Sequence, residues 1–349
     1  MRHGYRHVLL IFLILYVFCF SGCGHEVPQV KRSAVLMDTV VTLQVRGEQA
    51  EAAVDAGMRR LEELDRMMGS ESMEGAAQKL HAAAGKEYVK LQPEIYHVLE
   101  VSQRYSELTH GAWDITMGEA ISLWGIGTEY ARVPGVEEFE RVDELCGWQH
   151  LKLRPEDKSA MLEREGMSIH LGGIGKGYAL DEVRRIFIQY GIKDALIDMG
   201  ASSICAMGKN DRGEDWTIGI RHPRKENAFL ARVRLSDAML STSGDYERFF
   251  EADGKRYHHI LDPKTLRPAE SGIMSVTVLV DDGIEDAGML GDLLSTAVFV
   301  MGPEEGKAFI EKLPEAFSAE ITAVDGRILT AHGFGKRMEG VSGDFRVIE

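Results

Sequence analysis

The stretch Ser168–Asp181, SIHLGGIGKGYALD, sets the tightest limit on how this chain can fold. Glycines at 172, 173, 175 and 177 interrupt an apolar run that begins at Met167. A helical pattern follows, with Ala179, Val183, Ile186, Phe187 and Tyr190 on one face and Gly191 as its stop. The expected order is a short strand over Met167–Leu171, a glycine turn, and a helix from Tyr178. Such a turn offers backbone N–H groups at a helix N-terminus, and Lys176 adds a positive charge, which together suit an anion. The spacing is not that of a phosphate-binding P-loop: His170 stands where the first glycine belongs, and Gly177 follows the lysine in place of Ser or Thr. It is not the dinucleotide fingerprint either, because Gly173, Gly175 and Gly177 are evenly spaced. By itself the pattern fits both a phosphate site and a tight strand-to-helix turn carrying a surface lysine.

The length of 349 residues suits one large domain or two small ones. Asp and Glu number 55 against 40 Lys and Arg, and the resulting charge of −15 is scattered along the chain. This balance argues against a nucleic-acid partner, whose phosphates are held by Lys and Arg. It leaves room for a nucleotide, which needs only a local positive site.

Arg2, His3, Arg6 and His7 precede the apolar run Val8–Phe20, which falls short of the ~20 residues of a membrane span. Ser21, Gly22 and Cys23 follow, the layout of a secretory signal. The ending Phe20-Ser21-Gly22-Cys23 resembles a bacterial lipobox, with Phe20 in place of the usual Leu. The expectation is a signal peptide over 1–22, lipidation at Cys23, a tether over 23–33 and a functional domain over 34–349. The protein would then sit on the extracytoplasmic face of a bacterial membrane, held there by its lipid anchor. An ordinary secretory signal and an uncleaved anchor are the alternatives. Cys146 and Cys205 could pair in an oxidising compartment or serve as small apolar residues, and metal-type cysteine spacing is absent.

Along the rest of the chain, Ala34–Val45 reads as one strand and Glu48–Met68 as an amphipathic helix. A helix is expected over Glu94–Leu108, and 69–85 as loop plus partial helix. Strands over Trp216–Ile220, Phe229–Leu235, Ala238–Thr242, Arg248–Ala252 and Tyr257–Leu261 suggest an antiparallel sheet. Ala287–Met301 reads as a nearly wholly apolar helix, and Asp325-Gly326 as a hairpin turn between two strands. The fold class is α+β.

Three polar features stand out. Asp292 and Thr296 lie four apart inside the apolar helix and so share a face. They could hold a hard cation such as Mg²⁺, or Asp292 could face solvent while Thr296 bonds back to its own helix. His258 and His259 would point to opposite sides of a strand, so only one can enter a given site, where it could act as a general base. Asp114, between Trp113 and Ile115, is either a helix N-cap or an acceptor for a ligand hydroxyl or amine beside an aromatic ring.

The motifs together resemble the ApbE family of FAD:protein FMN transferases. The resemblance rests on Met37-Asp38-Thr39, on Gly111-Ala112-Trp113-Asp114-Ile115-Thr116 followed by Leu123-Trp124-Gly125, on LGGIGKGYALD and on Ile197-Asp198-Met199-Gly200-Ala201. It extends through Trp216–Ile220, Ser241–Tyr246, His259-Ile260-Leu261-Asp262-Pro263 with Arg267-Pro268, and Asp292–Ala297. It implies FAD as substrate, Mg²⁺ at the pyrophosphate, and transfer of FMN to a Thr or Ser of exported or membrane flavoproteins, with AMP released. Residue by residue it implies His259 as base, Asp292, Thr296 and a carbonyl near Gly173 as metal ligands, and Met37, Ala112, Trp113, Asp114, His170, Lys176 and Ile260 as flavin-nucleotide contacts. His170 departs from the Asp most often found before the glycines in this family. Two other readings of such a site are an FAD pyrophosphatase, with water as the acceptor, and a non-catalytic flavin-binding lipoprotein.

Overall fold

A computed structural model describes residues 27–69 and 75–348. The expected signal peptide and Cys23 lie outside the described residues. Among those described, no helix is long and apolar enough to cross a membrane.

Nine strands form one sheet and lie in it in their order along the chain. They are β1 (Gln29–Leu36), β2 (Thr39–Arg46), β3 (Asp194–Met199), β4 (Ser203–Met207), β5 (Ala238–Gly244), β6 (Ile273–Asp281), β7 (Phe317–Ala323), β8 (Arg327–Ala331) and β9 (Arg346–Ile348). Neighbours pair antiparallel, except β8 and β9, which run parallel. Helices α1 (Ala50–Met68), α2 (Pro93–Leu108), α3 (Gly175–Gln189), α4 (Ala287–Met301) and α5 (Pro303–Ile310) contribute to the main core. That core takes Leu43, Ile197, Val278 and Ile321 from one face of the sheet. The opposite face packs Ile204, Leu240, Leu279 and Ile328 against a three-stranded sheet of Trp216–Arg221, Phe229–Leu235 and Met338–Glu339. This is the α+β architecture expected.

Alternation along β5 explains how the sheet serves two cores. Met239 faces the helices and Leu240 the small sheet, so Ser241 and Ser243 follow Met239 toward α4 while Thr242 follows Leu240. Helix α4 is buried over most of its surface because it lies between sheet and helices. Its apolar composition therefore reflects a core position.

The expected α1, α2, α4 and the β7–β8 hairpin are present. Several expectations are corrected. Ala34–Val45 is not one strand but the hairpin β1–β2, turning at Met37 and Asp38, whose φ angles are 53° and 58°. A two-residue hairpin loop needs left-handed backbone, which Asn-Gly ordinarily supplies, so Met-Asp carries no turn signal. The tether's residues 29–33 belong to β1. Met167–Leu171 belongs to no strand; His170 N–H donates to the Ile115 carbonyl at 2.9 Å. Helix α3 starts at Gly175, not at Tyr178. The run of strands from Trp216 divides among three sheets. Its Tyr257–Leu261 member ends at His258, in a hairpin of Phe249–Ala252 with Lys255–His258. Cys146 and Cys205 are both free thiols.

Candidate active site

Helix α3 begins where the glycine turn ends, and its first turn lies against α4. A Cβ on Gly177 would stand 2.1 Å from the Gly288 carbonyl oxygen, and one on Gly288 would stand 2.5 Å from that of Gly177. The two backbones therefore meet where neither can carry a side chain. This contact brings Asp292 under the helix N-terminus. The Gly177 N–H donates to Asp292 Oδ2 at 2.7 Å, and Ser203 Oγ on β4 donates to Oδ1 at 2.6 Å.

The expected anion cradle is thus partly filled from within. Ile174 and Gly175 N–H donate to the Leu171 carbonyl and Gly172 N–H to His170 Nδ1, so with Gly177 four of the turn's amides are engaged. The helix N-terminus already faces a carboxylate. Asp292 is 6% exposed, and no Lys or Arg lies within ion-pairing distance of it among the described residues. Burial pushes its pKa up, opposed by the charge of Lys176 and by the Ser203 and Gly177 donors.

Thr296 sits one turn along, the one residue of Ala287–Phe299 that is not buried. Its hydroxyl lies 3.3 Å from the Asp292 carbonyl and 3.2 Å from Ser243 Oγ. The position of a Gly173 Cβ is 3.8 Å from Thr296 Oγ1 and 2.9 Å from the Trp113 ring. A buried carboxylate, two hydroxyls and an adjacent glycine turn supply oxygen donors only. That set fits a hard divalent cation such as Mg²⁺, with its remaining positions left to phosphate and water.

Lys176 donates to Ser202 Oγ at 2.5 Å, and its charge acts on both Asp292 and His259. His259 lies just past the end of the 249–258 hairpin. Its backbone N–H donates to the Arg248 carbonyl at 3.1 Å, and Nδ1 lies 3.3 Å from the same oxygen. An Nδ1–H donating to that oxygen leaves Nε2 as the free lone pair. Burial first, then the charges of His258, Arg248 and Lys176, push its pKa down to about 3. His258 is buried, Nε2 on the Ala269 carbonyl at 3.1 Å, so it is the structural histidine of the two. Ile260 is buried beside it and its carbonyl accepts Ala269 N–H.

Of the remaining candidates, Met37 and Trp113 lie against the glycine turn, and Asp114 lines a cavity that none of Asp292, Thr296, Lys176 and His259 lines. Met37, at the β1–β2 turn, receives an anchor for its N–H from Asp65 Oδ1 at 3.0 Å, and its Cε is 3.6 Å from the Cβ position of Gly175. His170 is held neutral by burial and by the Arg248 charge, against the pull of Asp38. Ala112 and Trp113 are buried, and the indole N–H donates to Ser102 Oγ at 2.7 Å. Asp114 caps no helix. Its Oδ1 accepts the Thr116 amide and hydroxyl, and its Oδ2 the Trp148 amide at 2.9 Å. It lines a cavity of about 580 Å³ with Gly111, Gly147, Trp148, Pro263 and Lys264.

Four participants were not among the site residues expected from the sequence: Ser203 and Ser243, Asp38 at the hairpin turn, and Arg248, although Asp38 and Ser243 lie within motif blocks of the family resemblance. Arg248 is exposed, acts on both His170 and His259, and has no carboxylate partner among the described residues.

Residues 37–320 match the sequence profile of the ApbE family. An FAD:protein FMN transferase of Treponema pallidum is 29% identical over 325 residues, covering 86% of this chain and 88% of that protein. The solved ApbE protein of Thermotoga maritima superposes with a TM-score of 0.80 at 28% identity, covering 89% of this chain and 100% of that one. The flavin transferase ApbE of Vibrio cholerae superposes with a TM-score of 0.79 at 26% identity, covering 89% and 99%.

Proposed function

This chain belongs to the ApbE family, and from that membership we propose that it is an FAD:protein FMN transferase. It takes FAD as substrate and attaches FMN to the hydroxyl of a Thr or Ser on exported or membrane flavoproteins. The oxygen of the acceptor hydroxyl bonds to the phosphorus on the FMN side of the pyrophosphate. The bond from that phosphorus to the bridging oxygen breaks, and AMP leaves.

The carrying observation is the meeting of Asp292, Thr296, Ser243 and the glycine turn at one end of α3. When bound, Mg²⁺ would neutralise pyrophosphate charge and favour departure of AMP. Asp292, Thr296 and the Gly173 carbonyl are the residues that would hold it. Lys176 supplies a cation beside the same phosphates. His259 takes the acceptor proton at Nε2, its ring oriented through Nδ1 by the Arg248 carbonyl. A hydroxyl's pKa lies far above that of a histidine, so proton removal accompanies attack. Met37, Ala112, Trp113, Asp114, His170 and Ile260 frame the FAD. Lipidation at Cys23 would hold the enzyme on the extracytoplasmic membrane surface, close to its acceptors.

The test incubates the protein with FAD, Mg²⁺ and a candidate acceptor domain, with and without chelator. Chelator-sensitive flavin fluorescence on the denatured acceptor, together with AMP, is the expected result. AMP without labelled acceptor would replace the transferase by a pyrophosphatase, and FAD binding with neither product would leave only a flavin-binding protein.

A further inference from the structure

Behind the active site, on the face of the sheet turned away from α4, lies a second buried carboxylate. Glu320 on β7 is 0% exposed. Its cross-strand partners are Thr277 on β6 and Thr330 on β8, and Thr277 in turn faces Thr242 on β5. The next row along the same face holds Ser275 and Thr322, also directly paired and also fully buried. Side chains of these residues share one face because the strand period is two.

The block is polar, and no Lys, Arg or His side chain among the described residues enters it. Glu320 Oε1 accepts the Thr322 hydroxyl, and Thr242 and Thr277 hydroxyls are 3.2 Å apart. Glu320 Oε2, Ser275 Oγ, Ser318 Oγ and Tyr246 Oη are buried atoms without a well-aligned hydrogen bond, although the Thr277 hydroxyl lies close to the Glu320 carboxyl and the Ser275 hydroxyl close to that of Tyr246. Tyr246 closes the block from above: its ring lies over Gly244, whose Cβ position would be 2.7 Å from the ring and 3.1 Å from Oη. Gly244 pairs with Ser275, so the phenol oxygen is brought over that row. No Lys, Arg or His bonds or pairs with Glu320 among the described residues.

Such an arrangement is costly without a counter-charge. Each unsatisfied buried polar atom costs roughly 1–3 kcal/mol, and a buried carboxylate without a counter-charge costs more. Oxygen ligands exclude soft metals. A single carboxylate balances a single positive charge, whereas a divalent ion would leave a net charge buried.

We propose that this block is a binding site for one monovalent alkali cation, held by Glu320 with the hydroxyls of Thr277, Thr322, Ser275 and Tyr246. The ion satisfies the oxygens of Glu320, Ser275 and Tyr246 and ties β6 to β7. On β5 the strand that carries Thr242 to this block carries Ser243 to Thr296 on the other face, so the ion stiffens the strand behind the active site.

The test follows thermal unfolding of the purified full chain, with EDTA present, in sodium, potassium or choline chloride at equal ionic strength. The expected result is a saturable rise in Tm with sodium or potassium and not with choline. Glu320→Gln, which keeps volume, should weaken that response at least tenfold in cation concentration, and Tyr246→Phe several-fold, while Asp292→Asn leaves it intact. An identical Tm in all three salts would overturn the site. So would a response that survives both Glu320→Gln and Tyr246→Phe, or one that disappears in Asp292→Asn alone. A Tm that falls equally in every salt as pH rises through 7, and ceases to do so in Glu320→Gln, would show a protonated carboxyl there and no ion.

Discussion

Asp292 Oδ2 accepts the Gly177 amide at 2.7 Å, so the carboxylate proposed to hold the metal also fixes the first turn of α3. One side chain thus sets both the charge of the site and the position of the glycine turn. The two duties can be separated by substitution. Asp292→Asn keeps the volume and one acceptor oxygen but removes the charge, whereas Asp292→Ala removes all three.

Both Asp292 variants should lose at least 10³-fold in kcat/KM for AMP release from FAD. They should differ in stability. Asp292→Ala leaves the Gly177 amide and the Ser203 hydroxyl unpartnered and should cost about 1–3 kcal/mol by urea unfolding. Asp292→Asn should cost less. Retained turnover in Asp292→Asn would remove the metal assignment while leaving the structural one.

Gly177→Ala tests the crossing of α3 and α4. The added methyl meets the Gly288 carbonyl and, at 2.8 Å, the Met289 Cα, which are backbone atoms and cannot rotate aside. The helices must part, and the Asp292–Gly177 bond must lengthen with them. A loss of about 3 kcal/mol in unfolding free energy is expected, with activity reduced even at temperatures where the variant stays folded. A variant of unchanged stability would mean that the two helices slide apart freely.

Much of this was legible in the sequence. Asp292 and Thr296 stood out because a carboxylate in an otherwise apolar helix has to be accounted for, whereas the strand period left His258 and His259 open and only the family resemblance pointed to His259. The apolar helix and the terminal hairpin were visible from periodicity and from Asp325-Gly326. What stayed hidden depends on tertiary contact. Met37-Asp38 adopts a left-handed turn that its residue types disfavour, so it read as continuous strand. Ser203 gains its role only through pairing of β4 with β5, and Glu320 through its position between β6 and β8. The free-amide reading of the glycine turn missed Asp292, which comes from 115 residues further on.

The hairpin turn stores strain that can be measured. Asp38 holds φ at 58°, a region costly for residues other than glycine. Asp38→Gly should raise stability by about 0.5–1 kcal/mol in thermal unfolding. It also removes the carboxylate that favours protonation of His170. Lower stability in the glycine variant would show that the Asp38 side chain contributes more than its backbone strain costs.

His259 stays deprotonated well below the usual histidine range. Burial and neighbouring positive charge hold its pKa near about 3, well below the ordinary value of about 6.5. The ring is therefore neutral in the free protein from pH 8 down to pH 5, and kcat/KM should show no acid limb from this group in that range. Removing the nearby charge with Arg248→Met should raise the pKa and bring an acid limb upward toward neutrality. Stability follows the same linkage. The unfolded chain binds the proton near pH 6.5 and the folded chain only near pH 3, so this group's effect is nil above about pH 7 and increasingly destabilising as pH falls through that window. His259→Asn should remove that share of the acid sensitivity and lower kcat by 10²–10⁴-fold while FAD binding is kept. Equal losses of binding and turnover in His259→Asn, at every pH, would recast the residue as part of the FAD-binding wall.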